Sequence, residues 1–206
     1  MLERLKYFYK AYIKRNIISN RRKNRIGSVG SNVLIEAPFD YGDYPSKISI
    51  GKNTSLLKNA RINVYGLAKK NEIVVDIGEG CYIGSNFSLL AKEKVTIEKN
   101  VLIASNVIIT SENHGIDPES NIPYMDQELT GLPVTIGEGC WIGEKVVILP
   151  GVSIGEKCII GAGSIVTKSV PNFSIVVGNP ARIIKKYDFS THRWERLKDD
   201  LCDAER

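Results

Sequence analysis

The segment from Ser111 to Pro133, SENHGIDPESNIPYMDQELTGLP, carries His114, one of the two histidines in the chain. Its other charged side chains are five carboxylates, Glu112, Asp117, Glu119, Asp126 and Glu128, with no lysine or arginine among them. An unperturbed imidazole titrates near ~6.5, so a histidine can take up and return a proton close to neutral pH. General base work is one reading of His114, and a surface histidine satisfied by water is the other. The second histidine, His192, is remote in sequence. Zinc ligation by cysteine wants paired spacings, and Cys81, Cys140, Cys158 and Cys202 contain no C-x-x-C. Three of the four recur in one local context, GEGCYIG, GEGCWIG and GEKCIIG, which points to small buried thiols in a reducing compartment. No metal site is expected.

The segment interrupts a strict rhythm. From Ile136 a large aliphatic returns every sixth residue, at Ile142, Ile148, Ile154, Ile160 and Val166, and glycine follows at Gly137, Gly143, Gly155 and Gly161. The same step runs in shifted phase through Ile77, Ile83 and Leu89, through Ile97, Ile103 and Ile109, and more weakly through Ile50, Leu56 and Ile62. A period of six fits neither a helix nor a plain strand. It describes a short strand plus a corner, three of which close one triangular turn of the chain, with the aliphatics pointing inward and stacking coil on coil. Small side chains two residues earlier, such as Cys81, Cys140, Cys158 and Ser164, suit inward positions near corners, and the glycines are expected to supply corner backbone angles. Between Ile109 and Ile136 lie 27 residues, not a multiple of six. The chain should therefore leave the column after Ile109, form a long loop over 111–133 and rejoin it at Val134. Loops longer than ~12–15 residues in a compact domain are usually functional or disordered.

This pattern resembles the hexapeptide-repeat acyltransferases, the group that includes galactoside and maltose acetyltransferases. The likeness spans residues 26–187 and is strongest over Val134 to Tyr187, VTIGEGCWIGEKVVILPGVSIGEKCIIGAGSIVTKSVPNFSIVVGNPARIIKKY. It implies an all-β, left-handed parallel β-helix; the period alone does not give the hand. It further implies an acetyl-CoA-dependent O-acetyltransferase acting on a sugar, assembled as a homotrimer with clefts between adjacent prisms. His114, a few residues past the N-V-x-I segment Asn106–Ile109, matches the position of the family's catalytic base. Such a base takes the proton of an alcohol or amine as it attacks the thioester directly, with no covalent enzyme intermediate. By the same likeness, Trp141 lines the cleft near the reacting end, Ala162 offers backbone contacts to the pantetheine arm, and Thr167, Lys168 and Arg182 hold the nucleotide end. Lys185 stands where the relative has arginine. Gly84 replaces an acceptor-contacting asparagine, so a simple galactoside is not the expected acceptor. Asn113, Tyr124 and Asp126 are candidate sugar contacts, and a bacterial surface polysaccharide or its precursor is the expected acceptor class.

The ends of the chain read differently. Residues 1–25 hold nine Lys/Arg against one Glu, a balance of +8, so that a net charge of +5 leaves −3 for the remainder. Leu2, Leu5, Phe8, Tyr9, Tyr12, Ile13 and Ile17 fall on helical spacing among basic residues. This basic amphipathic helix either covers the open edge of the first coil or a neighbouring subunit, or rests peripherally on anionic membrane lipid. Its aromatics lie on the apolar stripe, which argues against nucleic acid. Residues 188–206 are expected to form a C-terminal helix. No apolar run approaches the ~20 residues of a spanning helix, and the charged N-terminus has no secretory signal pattern, so a cytoplasmic location is the expectation.

Two rival functions remain. One is acetylation of another acceptor, such as a nucleotide-linked amino sugar, an amino acid or a xenobiotic. The other is a non-catalytic β-helix scaffold, which leaves the acidic loop unexplained. A metal-dependent carbonic anhydrase of the same fold needs three histidines, and the chain has two.

Overall fold

The computed structural model describes residue 18, residues 20–66 and residues 72–197. The helix expected over residues 2–17 lies outside them, and Asn20–Lys23 is a single helical turn.

From Ser28 the chain winds through short strands, most of them two or three residues long, arranged in three sheets. The first face comprises Ser28–Val29, Ile48–Ile50, Val75–Ile77, Val95–Ile97, Val134–Ile136 and Ser153–Ile154. The second runs from Leu34–Ile35 through Ser55–Leu56, Tyr82–Ile83, Leu102–Ile103, Trp141–Ile142 and Ile159–Ile160 to Ser174–Gly178. The third comprises Phe39–Asp40, Ala60–Val64, Ser88–Ala91, Ile108–Thr110, Val147–Ile148 and Ile165–Val166. Pairing between these strands is parallel throughout, so each coil lies directly on the one before it.

The six-step aliphatics form three inward columns. Ile50, Ile77, Ile97, Ile136 and Ile154 stack behind the first face. Leu56, Ile83, Ile103, Ile142 and Ile160 stack behind the second. Ile62, Leu89, Ile109, Ile148 and Val166 stack behind the third. All are buried. Fully burying such a side chain contributes roughly 1.5–3 kcal/mol, so the columns dominate the stability of the prism.

Corner chemistry departs from expectation. Gly137, Gly143, Gly155 and Gly161 are not among the residues with positive φ; the left-handed corners are shared by asparagines, among them Asn53, Asn86, Asn100 and Asn106, by Lys145 and Lys157, and by other glycines, Gly80, Gly139 and Gly163. The repeat glycines answer a different need. A Cβ on Gly137 would sit 2.7 Å from the backbone nitrogen of Glu156, and one on Gly143 would sit 2.6 Å from that of Ala162. Stacked coils approach too closely there for any side chain. The asparagines also bridge coils: Asn59 Nδ2 donates to Asn86 Oδ1 (2.9 Å), Asn86 Nδ2 to Asn106 Oδ1 (3.0 Å), and Asn106 Nδ2 to Glu144 Oε1 (3.1 Å). Asn106, part of the motif preceding the loop, is thus a corner residue.

The inward cysteines behave as small buried groups. Cys81 Sγ donates to the Glu98 carbonyl (3.1 Å) and Cys140 Sγ to that of Gly155 (2.9 Å). Burial pushes the Cys81 thiol above its ordinary pKa, while the thiols of Cys140 and Cys158 share a hydrogen bond that pushes Cys140 up and Cys158 down, to about 7. Cys202 lies outside the described residues.

The C-terminal helix expected over 188–206 is absent from the described part of that segment. Strand Ala181–Asp188 turns back antiparallel on Ser174–Gly178, and Arg193–Arg196 pairs antiparallel with it in turn. Two sequence features produce the reversal. Asp188 Oδ1 accepts from the backbone N–H (2.8 Å) and hydroxyl (2.6 Å) of Ser190, a local turn that competes with helix. Tyr187 then meets Trp194 edge to face at 5.3 Å across the strands, and Phe189 at 5.0 Å. Hydroxyl contacts also hold the Asp188 carboxyl below its ordinary pKa.

Candidate functional site

The interruption falls where expected: the third-face strand ends at Thr110 and the first face resumes at Val134. The loop therefore replaces one corner on the edge where the third face returns to the first. It is ordered from its base. Glu112–Asn113 pairs antiparallel with Thr130–Gly131, which makes a short ribbon projecting from the prism. Ser111 is fully buried, and its hydroxyl donates to the Glu93 carbonyl at 2.7 Å in the preceding coil. Lys92, from the same lower corner, donates to the Leu129 carbonyl and lies 3.9 Å from the Glu128 carboxylate.

Farther out, Gln127 organises the loop. Its Nε2 donates to the carbonyls of Asp117 and Ile122, both at 3.0 Å, and its Oε1 accepts from the Asp117 N–H at 3.0 Å. Gly115 makes room for it, since a Cβ there would lie 2.7 Å from Gln127 Cβ. Around this brace is a concavity of about 310 Å³, lined by Asp117, Ser120, Ile122, Tyr124 and Gln127 among others.

His114 follows the ribbon strand directly and is exposed. Among the described residues its side chain has no hydrogen-bond or ionic partner, which leaves its nitrogens available to a ligand. Two residues earlier, Glu112 buries Oε2 with no hydrogen-bond partner. Asn113 pairs with Thr130 in the ribbon, and Tyr124 and Asp126 bound a single 3-10 turn; all three side chains are exposed. Of these, Tyr124 lines the concavity.

The donor-side candidates divide between two regions of the prism. Thr167 and Lys168 follow strand Ile165–Val166 on the same edge as the loop, two coils further along, and both are exposed. Trp141, half exposed, points outward from the second face. Arg182 and Lys185 belong to that sheet too, opposite Val177 and Ile175. Ala162 occupies the corner between the second and third faces, stacked against Gly143. A single chain thus sets His114, Thr167 and Lys168 on one edge and Trp141, Arg182 and Lys185 on a face, with the third face between them. Gly84, where an asparagine was the family expectation, admits no side chain: a Cβ would lie 2.6 Å from the backbone of Ala104 and Ser105.

Sequence reading missed Gln127 and Lys92, which hold the loop in shape. Their signals, an amide amid carbonyls and a lysine one coil below the insertion, emerge only when coils are stacked. Among the described residues no group of three or more His, Cys, Asp or Glu could hold a metal ion.

Comparison with known proteins agrees with this architecture. The bacterial transferase hexapeptide (six repeats) model matches residues 133–168, and the hexapeptide repeat of succinyl-transferase model matches residues 74–111. A protein of Escherichia coli (strain K12) with the provisional name lipopolysaccharide biosynthesis O-acetyl transferase WbbJ is 36% identical over 155 residues, 72% of this chain and 76% of its own length. The galactoside O-acetyltransferase of the same organism is 35% identical over 164 residues, 80% of this chain and 66% of its own. Among solved structures, a serine-to-alanine variant of AntD, an N-acyltransferase from Bacillus cereus, in complex with dTDP-4-amino-4,6-dideoxyglucose and coenzyme A, superposes with a TM-score of 0.71 at 26% identity. That match covers 85% of this chain and 93% of AntD. Together the repeat models, the identity with the E. coli proteins and the stacked three-sided coils place the chain in the hexapeptide-repeat acetyltransferases, built on a left-handed parallel β-helix.

Proposed function

We propose that the protein is an acetyl-CoA-dependent O-acetyltransferase that acylates a sugar hydroxyl, with a bacterial surface polysaccharide or its precursor as acceptor. The observation that carries this reading is His114, unpartnered at the end of a ribbon anchored on the same edge as Thr167 and Lys168. His114 accepts the proton of the acceptor hydroxyl as its oxygen attacks the thioester carbonyl carbon. The tetrahedral adduct collapses with cleavage of the C–S bond, and the coenzyme A thiolate leaves and takes up the proton. Such a positioned base contributes typically about 10²–10⁴-fold.

The division of candidate contacts between an edge and a face supports a homotrimer, in which the loop edge of one copy meets the second face of the next. Exposed Tyr82, Leu102 and Trp141 on that face are suited to this packing. Thr167 and Lys168 would then meet Arg182 and Lys185 of a neighbouring copy around the coenzyme phosphates, with Trp141 and Ala162 along the arm. Asn113, Tyr124 and Asp126 flank the acceptor. Among the described residues no helix is long and apolar enough to cross a membrane. A cytoplasmic enzyme held peripherally at the membrane by residues 1–25 fits a lipid-linked glycan acceptor.

A second reading, N-acylation of a nucleotide-linked amino sugar, is favoured by the AntD match, which spans nearly that whole chain and whose complex holds such a sugar with coenzyme A. Turnover of acetyl-CoA against a panel of glycans and amino sugars separates the two, because an ester product is cleaved by hydroxylamine and an amide is not. Loss of at least about a hundredfold in kcat is expected for His114→Ala with binding of coenzyme A retained. Near-normal turnover removes His114 from the mechanism.

A further inference from the structure

The outward side chains of the second face form a column, which passes one register shift between Ile175 and Val176. In register they are Tyr82, Leu102, Trp141, Ile159, Ile175, Lys185 and Arg196. The column changes character along its length, from aromatic and aliphatic at Trp141, Ile159 and Ile175 to two cations at Lys185 and Arg196. Neighbouring strands lie ~4.8 Å apart, so Lys185 is about 14 Å and Arg196 about 19 Å from Trp141.

The final ribbon has four cross-strand pairs. Lys186 faces Glu195, Asp188 faces Arg193 and Tyr187 faces Trp194, each a complementary match. Lys185 faces Arg196, the one like-charged pair of the four. Like charges directly opposite one another destabilise a sheet. Among the described residues neither cation has a hydrogen-bond or ionic partner on its side chain. An anion lying between them reverses the sign of this interaction, and a planar guanidinium beside an ammonium is suited to phosphate.

We infer that Arg196 is a further binding residue of the donor site, holding a nucleotide phosphate of coenzyme A together with Lys185, while the acylated arm lies across Ile175 and Ile159 toward Trp141. The inference rests on the acetyl-CoA reading above and adds a residue from the C-terminal strand. Arg196 is exposed, so the contact is solvent-screened and its loss should be moderate.

The test compares two thioesters on the full-length protein: acetyl-CoA, and S-acetyl-pantetheine, which has no phosphate. For Arg196→Gln, kcat/KM with acetyl-CoA should fall about tenfold, as for loss of one charge-assisted contact, while the value with S-acetyl-pantetheine stays unchanged. Arg196→Lys should recover part of the loss. Calorimetric titration with coenzyme A should show the same tenfold weakening in Arg196→Gln and a shallower salt dependence than wild type. Unchanged affinity for coenzyme A in Arg196→Gln, or an equal fall with both thioesters, overturns the assignment of Arg196 and leaves the acetyl-CoA reading standing. Failure of the wild-type protein to bind coenzyme A at all overturns both.

Discussion

Replacing Gln127 by alanine should open the loop and leave the prism intact. The substitution removes three hydrogen bonds, two donated by Nε2 to the Asp117 and Ile122 carbonyls and one accepted by Oε1 from the Asp117 N–H. Each such bond contributes a net 0.5–1.5 kcal/mol or so, and the exposure of the partners favours the lower half of that range. The sum is about 1.5–3 kcal/mol, equivalent to a roughly 10- to 150-fold rise in the population of the opened loop. Amide hydrogen exchange reads this directly, because the Asp117 N–H loses its acceptor and should exchange faster by that factor. Amides of Ile142 and Ile160, deep in the stacked coils, should keep their protection. Gln127→Glu provides an internal check. It retains an acceptor for the Asp117 N–H but turns a carboxylate oxygen toward two carbonyls, so it too should loosen the loop. Unchanged exchange at Asp117 in both variants would refute the claim that this side chain braces the loop. Turnover should fall with loop order if His114 depends on that scaffold.

Two further outcomes follow from packing. Gly84→Asn, which installs the residue expected from the likeness to galactoside acetyltransferase, should cost about 1–3 kcal/mol of stability by forcing a Cβ against the Ala104–Ser105 backbone, visible as a lowered thermal midpoint without gain of galactoside acetylation. In a Cys202→Ser background the native protein should not react with a thiol reagent at pH 8 until it is denatured, since Cys81, Cys140 and Cys158 are all buried. Burial raises the folded pKa of Cys81 above the unfolded thiol value of about 8.5, so above that pH the unfolded state binds fewer protons at this residue than the native one. The contribution of Cys81 to stability should therefore decline as pH rises past ~8.5, by up to about 1.4 kcal/mol per pH unit, and Cys81→Ala should flatten the decline.

Much of the architecture was legible because the coil repeats: every aliphatic of the six-step series is buried, and the phase break between Ile109 and Ile136 locates the loop at its observed boundaries. The glycines that follow the aliphatics were read correctly as required and incorrectly as to why. A period shows that Gly137 recurs, whereas the proximity of Glu156 one coil away appears only in three dimensions. The C-terminal strands were missed because apolar spacing over Phe189 to Leu197 suits a helix as well as a ribbon, and the Asp188–Ser190 turn decided between them. For the candidate site, residue types drew attention to His114, but its place on one edge with Lys168, and the separation of both from Arg182, depends on which corner each coil contributes.

The change of strand direction after Gly178 bears on how the molecule avoids polymerising. Any stack of parallel rungs presents its last backbone N–H and C=O groups as a template onto which a second molecule's first rung could dock, and repetition of that event would build a fibre. On the second face, an eight-residue strand running the opposite way and a further four-residue strand stand beyond the terminal rung. An incoming two-residue rung finds there neither matching polarity nor matching length, and repeated end-to-end growth of columns through that face is disfavoured.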